Sequence, residues 1–146
     1  MSKELYTIGY EGSDINSFIA NLRNHSITCL VDVRENPVSR KTGFSKAKLA
    51  ERLEQENIGY IHIRRLGSPR QIRKELKGGG SFFVFINRYI SYLSDQEEVL
   101  KKAYDFVIRE KACLMCFEKD AEQCHRTIVA QRIKEIDGNG LKVINI

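Results

Sequence analysis

The residues best equipped for chemistry lie in one stretch, Cys113-Leu-Met-Cys-Phe-Glu-Lys-Asp-Ala-Glu-Gln-Cys-His-Arg126. Ala112 to Phe117 has the length and apolar character of a buried strand. The chain then turns polar and resumes at Cys124, with Ile128, Val129, Ile133 and Ile136 at helical spacing. The pattern predicts strand, loop and helix, with Cys124, His125 and Arg126 in the helix's first turn. Unpaired N–H groups and the positive end of the helix dipole gather there. They push a thiol toward thiolate and favour an anion. Strand side chains alternate faces, so Cys116 and Glu118 share one face and Cys113 takes the other. Cys113 and Cys29 are expected to be small core residues. Cys116 and Cys124 instead stand at element edges beside charged groups.

Four chemistries fit these residue types. Cys124 can act as a nucleophile, with Cys116 as its rival and Glu118 or His125 to move protons. Cys116, Glu118, Cys124 and His125 are also zinc-type ligands. Adjacent helical side chains diverge by about 100°, however, which weighs against Cys124 and His125 sharing an ion. No metal or cofactor is therefore expected. A third reading is a binding module without chemistry. Arg34, Arg40, Lys41, Arg64, Arg65, Arg70, Arg73, Lys74, Lys77 and Arg126 would meet phosphates, and Tyr10, Tyr60 and Tyr89 would stack on bases. The bland counterpart is that arginines solvate the surface and tyrosines pack in the core, which suits Tyr89. His25, ending a helix, and His62, in a strand, are expected to be structural. Fourth, Glu11, Asp32 and Glu118 come from neighbouring strand ends and could cleave an N-glycosidic bond. Asp32 is more simply a partner holding an arginine by charge-assisted hydrogen bonds.

Strands are expected over residues 5–9, 28–33, 58–63, 112–117 and 141–146. Helices follow Ser13 as N-cap, then span residues 45–57, a short segment from Pro69, 82–93, 97–110, and the stretch from Cys124. The helix over 82–93 carries Phe82, Phe83, Ile86, Tyr89, Ile90 and Leu93 as an aromatic face. Asp137 to Gly140 reads as a turn. Alternating strands and helices predict a single α/β domain over 1–146, a mainly parallel sheet of about five strands with helices on both faces. Such sheets bind ligands beyond the carboxyl ends of their strands. Tyr10 and Glu11, Asp32 and Arg34, Arg64 and Arg65, Cys116 and Glu118, and the Cys124-His-Arg126 turn all fall on that edge.

The 146 residues suffice for one full core, with 42% apolar and 29% charged residues as in globular domains. No apolar run is long enough to span a membrane, and Met1-Ser-Lys-Glu4 lacks a signal pattern. The four cysteines then read as reduced thiols in a cytoplasmic protein. A net charge of +5 is a mild bias toward anionic partners, too weak alone to assert nucleic-acid binding. It says nothing of oligomeric state.

Thr7-Ile-Gly-Tyr-Glu-Gly12, Asp32-Val-Arg-x-x-Pro-x-Ser-Arg40, Gly43-Phe-Ser45, Tyr60, Leu66-Gly-Ser-Pro69 with Arg73, Cys116-Phe-Glu118 and Cys124-His-Arg126 form a combined signature. It resembles the domain-of-unknown-function 488 family over nearly the whole chain. The resemblance implies a small bacterial or archaeal α/β domain and supplies no activity. A fainter likeness to rhodanese-like domains stops at the loop, which is longer and has Glu122 where a Cys-x5-Arg cradle needs arginine. From the residues, the expected function is an enzyme acting on a phosphate-bearing ligand, a nucleotide or nucleic acid. Cys124, Glu118, Cys116, Glu11 and His125 are its catalytic candidates. Tyr10, Asp32, Arg34, Arg40, Arg64, Arg65 and Arg126 are its binding candidates. A non-catalytic anion-binding module and a Cys/His/Glu metal site are the alternatives.

Overall fold

A computed structural model describes residues 3–138 and 140–146. Met1 and Ser2 of the expected leaderless N-terminus, and Asn139 of the expected turn, lie outside the described residues. The strands are β1 (Glu4–Gly9), β2 (Cys29–Asp32), β3 (Gly59–His62), β4 (Ala112–Cys116) and β5 (Lys142–Asn145). The helices are α1 (Ile15–Asn24), α2 (Lys46–Gln55), α3 (Arg70–Lys77), α4 (Phe82–Leu93), α5 (Glu97–Arg109) and α6 (Arg126–Ile136). The strands form one parallel sheet in the order β3-β2-β4-β1-β5. The expected α/β class, strand number and two-faced helix cover are therefore present.

Burial explains the sequence patterns. β2 and β4 are central and buried throughout, so they read as continuous apolar runs. On one face, Phe18, Ile19 and Leu22 of α1 and Leu49 and Leu53 of α2 pack on Ile8, Leu30, Cys113 and Met115. On the other, Tyr89 and Leu93 of α4, Leu100 and Val107 of α5, and Val129 and Ile133 of α6 pack on Val31, Leu114 and Cys116. Cys113 and Cys116 thus point to opposite faces, as alternation requires.

Two local expectations are corrected. The N-cap of α1 is Asp14, whose carboxylate accepts the Ser17 N–H at 2.7 Å, and Ser13 precedes it. In α4 the buried side chains are Phe85, Tyr89 and Leu93, while Phe83 and Ile90 are exposed. α4 is apolar nearly all round, so periodicity alone could not fix which stripe faces the core.

Register aligns the strand ends that matter. Gly9 stands opposite Cys116, and Asp32 stands opposite both Met115 and His62. The β1–β4 pairing continues beyond the strands, where Tyr10 N–H donates to Cys116 O at 3.2 Å and Glu11 N–H to Phe117 O at 2.8 Å. Gly9 is required by this approach: a Cβ there would lie 1.7 Å from the Glu118 carbonyl oxygen. Gly67 plays the same part in the Leu66-Gly-Ser-Pro69 turn, where a Cβ would lie 2.1 Å from Glu35 N.

Candidate functional site

A cleft of about 460 Å³ opens at the carboxyl edge of the sheet. Cys116, Phe117 and Glu118 reach it from the end of β4, Tyr10 from β1, and Arg34 to Arg40 from the loop after β2. Ser68, Arg73 and Lys77 enter from the turn and α3, Phe82 and Phe85 from α4, and His125 from the start of α6. The cleft therefore combines a polar floor, cationic groups and aromatic surface.

The floor beside β2 is an interlocked buried network. Asp32 is fully buried and accepts two guanidinium bonds from Arg34, Nε to Oδ1 at 2.9 Å and Nη2 to Oδ2 at 2.7 Å. Asp32 Oδ2 also accepts the Tyr60 hydroxyl at 2.6 Å. Arg34 Nη1 donates to Phe44 O at 2.7 Å and to the Tyr10 hydroxyl at 3.3 Å. Burial disfavours the Arg34 charge, but the Asp32 carboxylate outweighs it and raises the pKa above the ordinary arginine value. Burial, then the hydrogen bond to Asp32, raises the Tyr60 pKa. Tyr10 stacks on Phe44 at 4.5 Å. Asp32, Arg34, Tyr10 and Tyr60 thus spend their polar groups on one another, the holding role expected for Asp32.

Beside β4 the floor is built from Cys116 and His125, with Cys124 and Arg126 directly behind them. Cys116 Sγ and Cys124 Sγ are joined at 2.07 Å, and the free cysteines are the buried Cys29 and Cys113. The expectation of four reduced thiols meets a close pair here, because the loop after β4 turns Cys124 back over the strand end, with the two Cα atoms 7.4 Å apart. Burial raises the Cys29 thiol to about 11 and raises Cys113 as well, as befits inert core thiols. Helix α6 begins at Arg126 with His125 as N-cap, so Cys124 precedes the first turn. Its sulfur still accepts the Arg126 backbone N–H at 3.5 Å.

His125 is buried, and its Nε2 lies 2.7 Å from Val33 O. A carbonyl can only accept, so Nε2 carries the proton and Nδ1 presents a lone pair. Nδ1 lies 3.7 Å from Cys124 Sγ. Burial pushes the imidazole down to about 4, which keeps it neutral at physiological pH. The expected divergence of Cys124 and His125 is also corrected. Cys124 is extended, with φ −129° and ψ 142°, so helical spacing does not apply to it.

Arg126 is buried and acts as a clamp. Its Nη1 donates to Cys116 Sγ at 3.1 Å and to Glu118 O, and Nη2 donates to Lys119 O at 3.1 Å. It shapes the loop after β4 and does not line the cleft. Glu118 lies in the cleft, half-buried, and burial raises its pKa above the usual carboxylate range. Glu11 accepts the Lys119 N–H at 3.1 Å and supports the loop from outside the cleft.

The structure thus brings Tyr10, Arg34, Arg40, Cys116, Glu118 and His125 to one cleft, with Asp32, Cys124 and Arg126 directly behind its floor. Arg64 and Arg65 are exposed in a 3-10 turn and do not line it. Arg73 and Lys77, one helical face further on, take that place. Arg73 is paired with Glu35 at 3.0 Å, whereas no ion pair among the described residues uses Arg40 or Lys77. Phe82, Phe85 and Phe117 were not singled out as site residues. Phe117 had a signal, lying between Cys116 and Glu118.

The family model described as "Domain of unknown function DUF488" matches residues 14–133. The match covers most of the chain, which therefore belongs to that family. No curated protein and no solved structure matches it.

Proposed function

For this member of the DUF488 family, we propose an enzyme that binds a phosphate-bearing ligand, of nucleotide or single-stranded nucleic-acid type, in the carboxyl-edge cleft. The observation that carries this reading is the meeting of unpaired cations, aromatic surface and a reactive floor in one cleft of about 460 Å³. Ligand pockets commonly span about 300–1,000 Å³. Arg40 and Lys77, with Arg73, would hold phosphate oxygens. Phe117, 44% exposed at the rim, offers a face on which a base can stack.

Glu118 is the proton donor of this reading. Its raised pKa follows from burial and favours the acid form that a general acid needs. In the dithiol form Cys116 would supply a thiol at the floor, beside the Nδ1 lone pair of His125. Asp32 and Arg34 are positioning residues, because their donors and acceptors are committed within the protein, and Arg126 is one through its two Nη groups, although its buried Nε has no hydrogen-bond partner. The N-glycosidic alternative loses Asp32 as a free carboxylate for the same reason.

The test begins with thermal shift against nucleoside mono-, di- and triphosphates and inorganic phosphate. A ligand bound only by the folded state raises the melting temperature. Glu118→Gln should keep the shift given by the best nucleotide and abolish its turnover. Retained turnover would remove Glu118 as the acid, and no shift with any phosphate compound would remove the reading. Binding without turnover by the unsubstituted protein would favour the non-catalytic anion-binding module.

A further inference from the structure

The least explained feature of the cleft floor is the convergence of three soft or borderline donor atoms. Cys116 Sγ, Cys124 Sγ and a ring nitrogen of His125 all lie within 4.8 Å of one another, and all three residues are buried. They come from the end of β4 and the turn into α6, two segments that Arg126 ties together. Each donor is prepared. His125 donates its other N–H to Val33 O at 2.7 Å, which fixes the tautomer and aims the Nδ1 lone pair at the sulfurs. Metal-ligating histidines almost always make that kind of outer bond. The Arg126 guanidinium donates to Cys116 Sγ at 3.1 Å, and its backbone N–H to Cys124 Sγ at 3.5 Å. Both donors would offset the charge of thiolate ligands.

We propose that, in its dithiol form, this cluster binds a zinc-class divalent ion through Cys116 Sγ, Cys124 Sγ and His125 Nδ1, with the fourth position open to the cleft. The proposal rests on the cleft reading above and gives that site a cofactor. Two thiolates and one imidazole are a donor set used for catalytic zinc, where three protein ligands leave one position for water or substrate. Cys116 and His125 line the cleft, so the open position faces the bound ligand. The Cα atoms of Cys116 and Cys124 are 7.4 Å apart, which leaves their sulfurs room to part and bracket an ion. Glu118 is not in the donor cluster and stays available as a proton donor. Joined sulfurs reach the dithiol form by taking two electrons and two protons from a dithiol reductant, which leaves as its own disulfide. Metal binding then releases the two thiol protons. Joining the sulfurs and binding the ion are mutually exclusive, so the site would lose its metal on oxidation.

The test uses the full chain, reduced and desalted without oxygen, and titrated with cobalt(II). Thiolate-to-cobalt charge-transfer absorption should saturate at one ion per chain and be displaced by zinc. In the same unsubstituted protein, zinc should slow iodoacetamide labelling of Cys116 and Cys124 by at least about tenfold, mapped by mass spectrometry. That arm needs no variant to fold. Cys124→Ser and His125→Asn, checked for native circular dichroism, should weaken cobalt binding by about 10–100-fold or more. Absent charge-transfer absorption, or equal labelling with and without zinc, would overturn the proposal. Nucleotide binding is read separately by thermal shift on metal-free protein, so a failed metal site and a failed cleft give different results.

Discussion

At the scale of single residues, the cleft separates side chains that can meet a ligand from those that hold the others in place. Asp32 and Arg34 are buried and paired twice over. Removing one charge strands the other, a change that typically costs about 3–5 kcal/mol. Asp32→Asn should therefore lower stability by roughly that amount, read as a reduced urea midpoint with an unchanged slope. Destabilisation well under about 1 kcal/mol would mean that Arg34 finds another anion or water. That Asp32 holds an arginine was legible in the sequence, but the choice among Arg34, Arg40 and Arg126 was not, because it depends on how the chain turns after the strand end. The closeness of Cys124 and His125 was not legible either. It depends on an extended Cys124 just outside the helix, a boundary that composition leaves uncertain by a residue or two.

At the scale of elements, the loop after β4 is pinned from below by Gly9 and from above by Arg126. Gly9→Ala would set a Cβ 1.7 Å from the Glu118 carbonyl, against backbone that cannot rotate away. The expected cost exceeds the about 1–3 kcal/mol of ordinary overpacking, and the loop that carries Phe117 and Glu118 must shift. Amide exchange over residues 116–120 should speed up in any variant that still folds. Unchanged exchange there would contradict the pinning. At the opposite end of the sheet, Asp137 accepts from Lys3 Nζ at 2.9 Å and from the Tyr104 hydroxyl at 2.7 Å, joining β1, α5 and the end of α6. The Lys3 hydrogen bond, then that of Tyr104, lowers the Asp137 pKa below the ordinary carboxylate value. A depressed folded-state pKa adds stability above the unfolded value and loses it as pH falls through the folded one. Asp137→Asn should thus be less stable than the parent at neutral pH, with the gap closing in acid. A gap independent of pH would show that the carboxylate charge is not what matters. Helix and strand positions were readable because their apolar periods are strong. The buried face of α4 was not, since Phe83 and Ile90 are as apolar as the Phe85 and Tyr89 that the core takes. The phase of α3 was equally hidden, and it decides that Arg73 and Lys77 enter the cleft.

At the scale of the whole molecule, a five-stranded parallel sheet gathers strand ends that are far apart in sequence into one edge. No helix among the described residues is long and apolar enough to cross a membrane. The edge-gathering rule made the site readable as a location before any side chain could be placed, because parallel strands send every carboxyl end the same way. What it could not tell was which arginines point inward. The most direct measurement is amide chemical-shift mapping of the full chain during titration with adenosine triphosphate, guanosine triphosphate and a short single-stranded oligonucleotide. Shifts from at least one of them should cluster at Arg40, Ser68, Arg73, Lys77, Phe117, Glu118 and His125, weaken with added salt, and diminish in a combined Arg40→Ala, Lys77→Ala variant. Shifts that spread over the exposed Arg64–Arg65 turn and leave the cleft untouched, or binding indifferent to salt, would contradict the account.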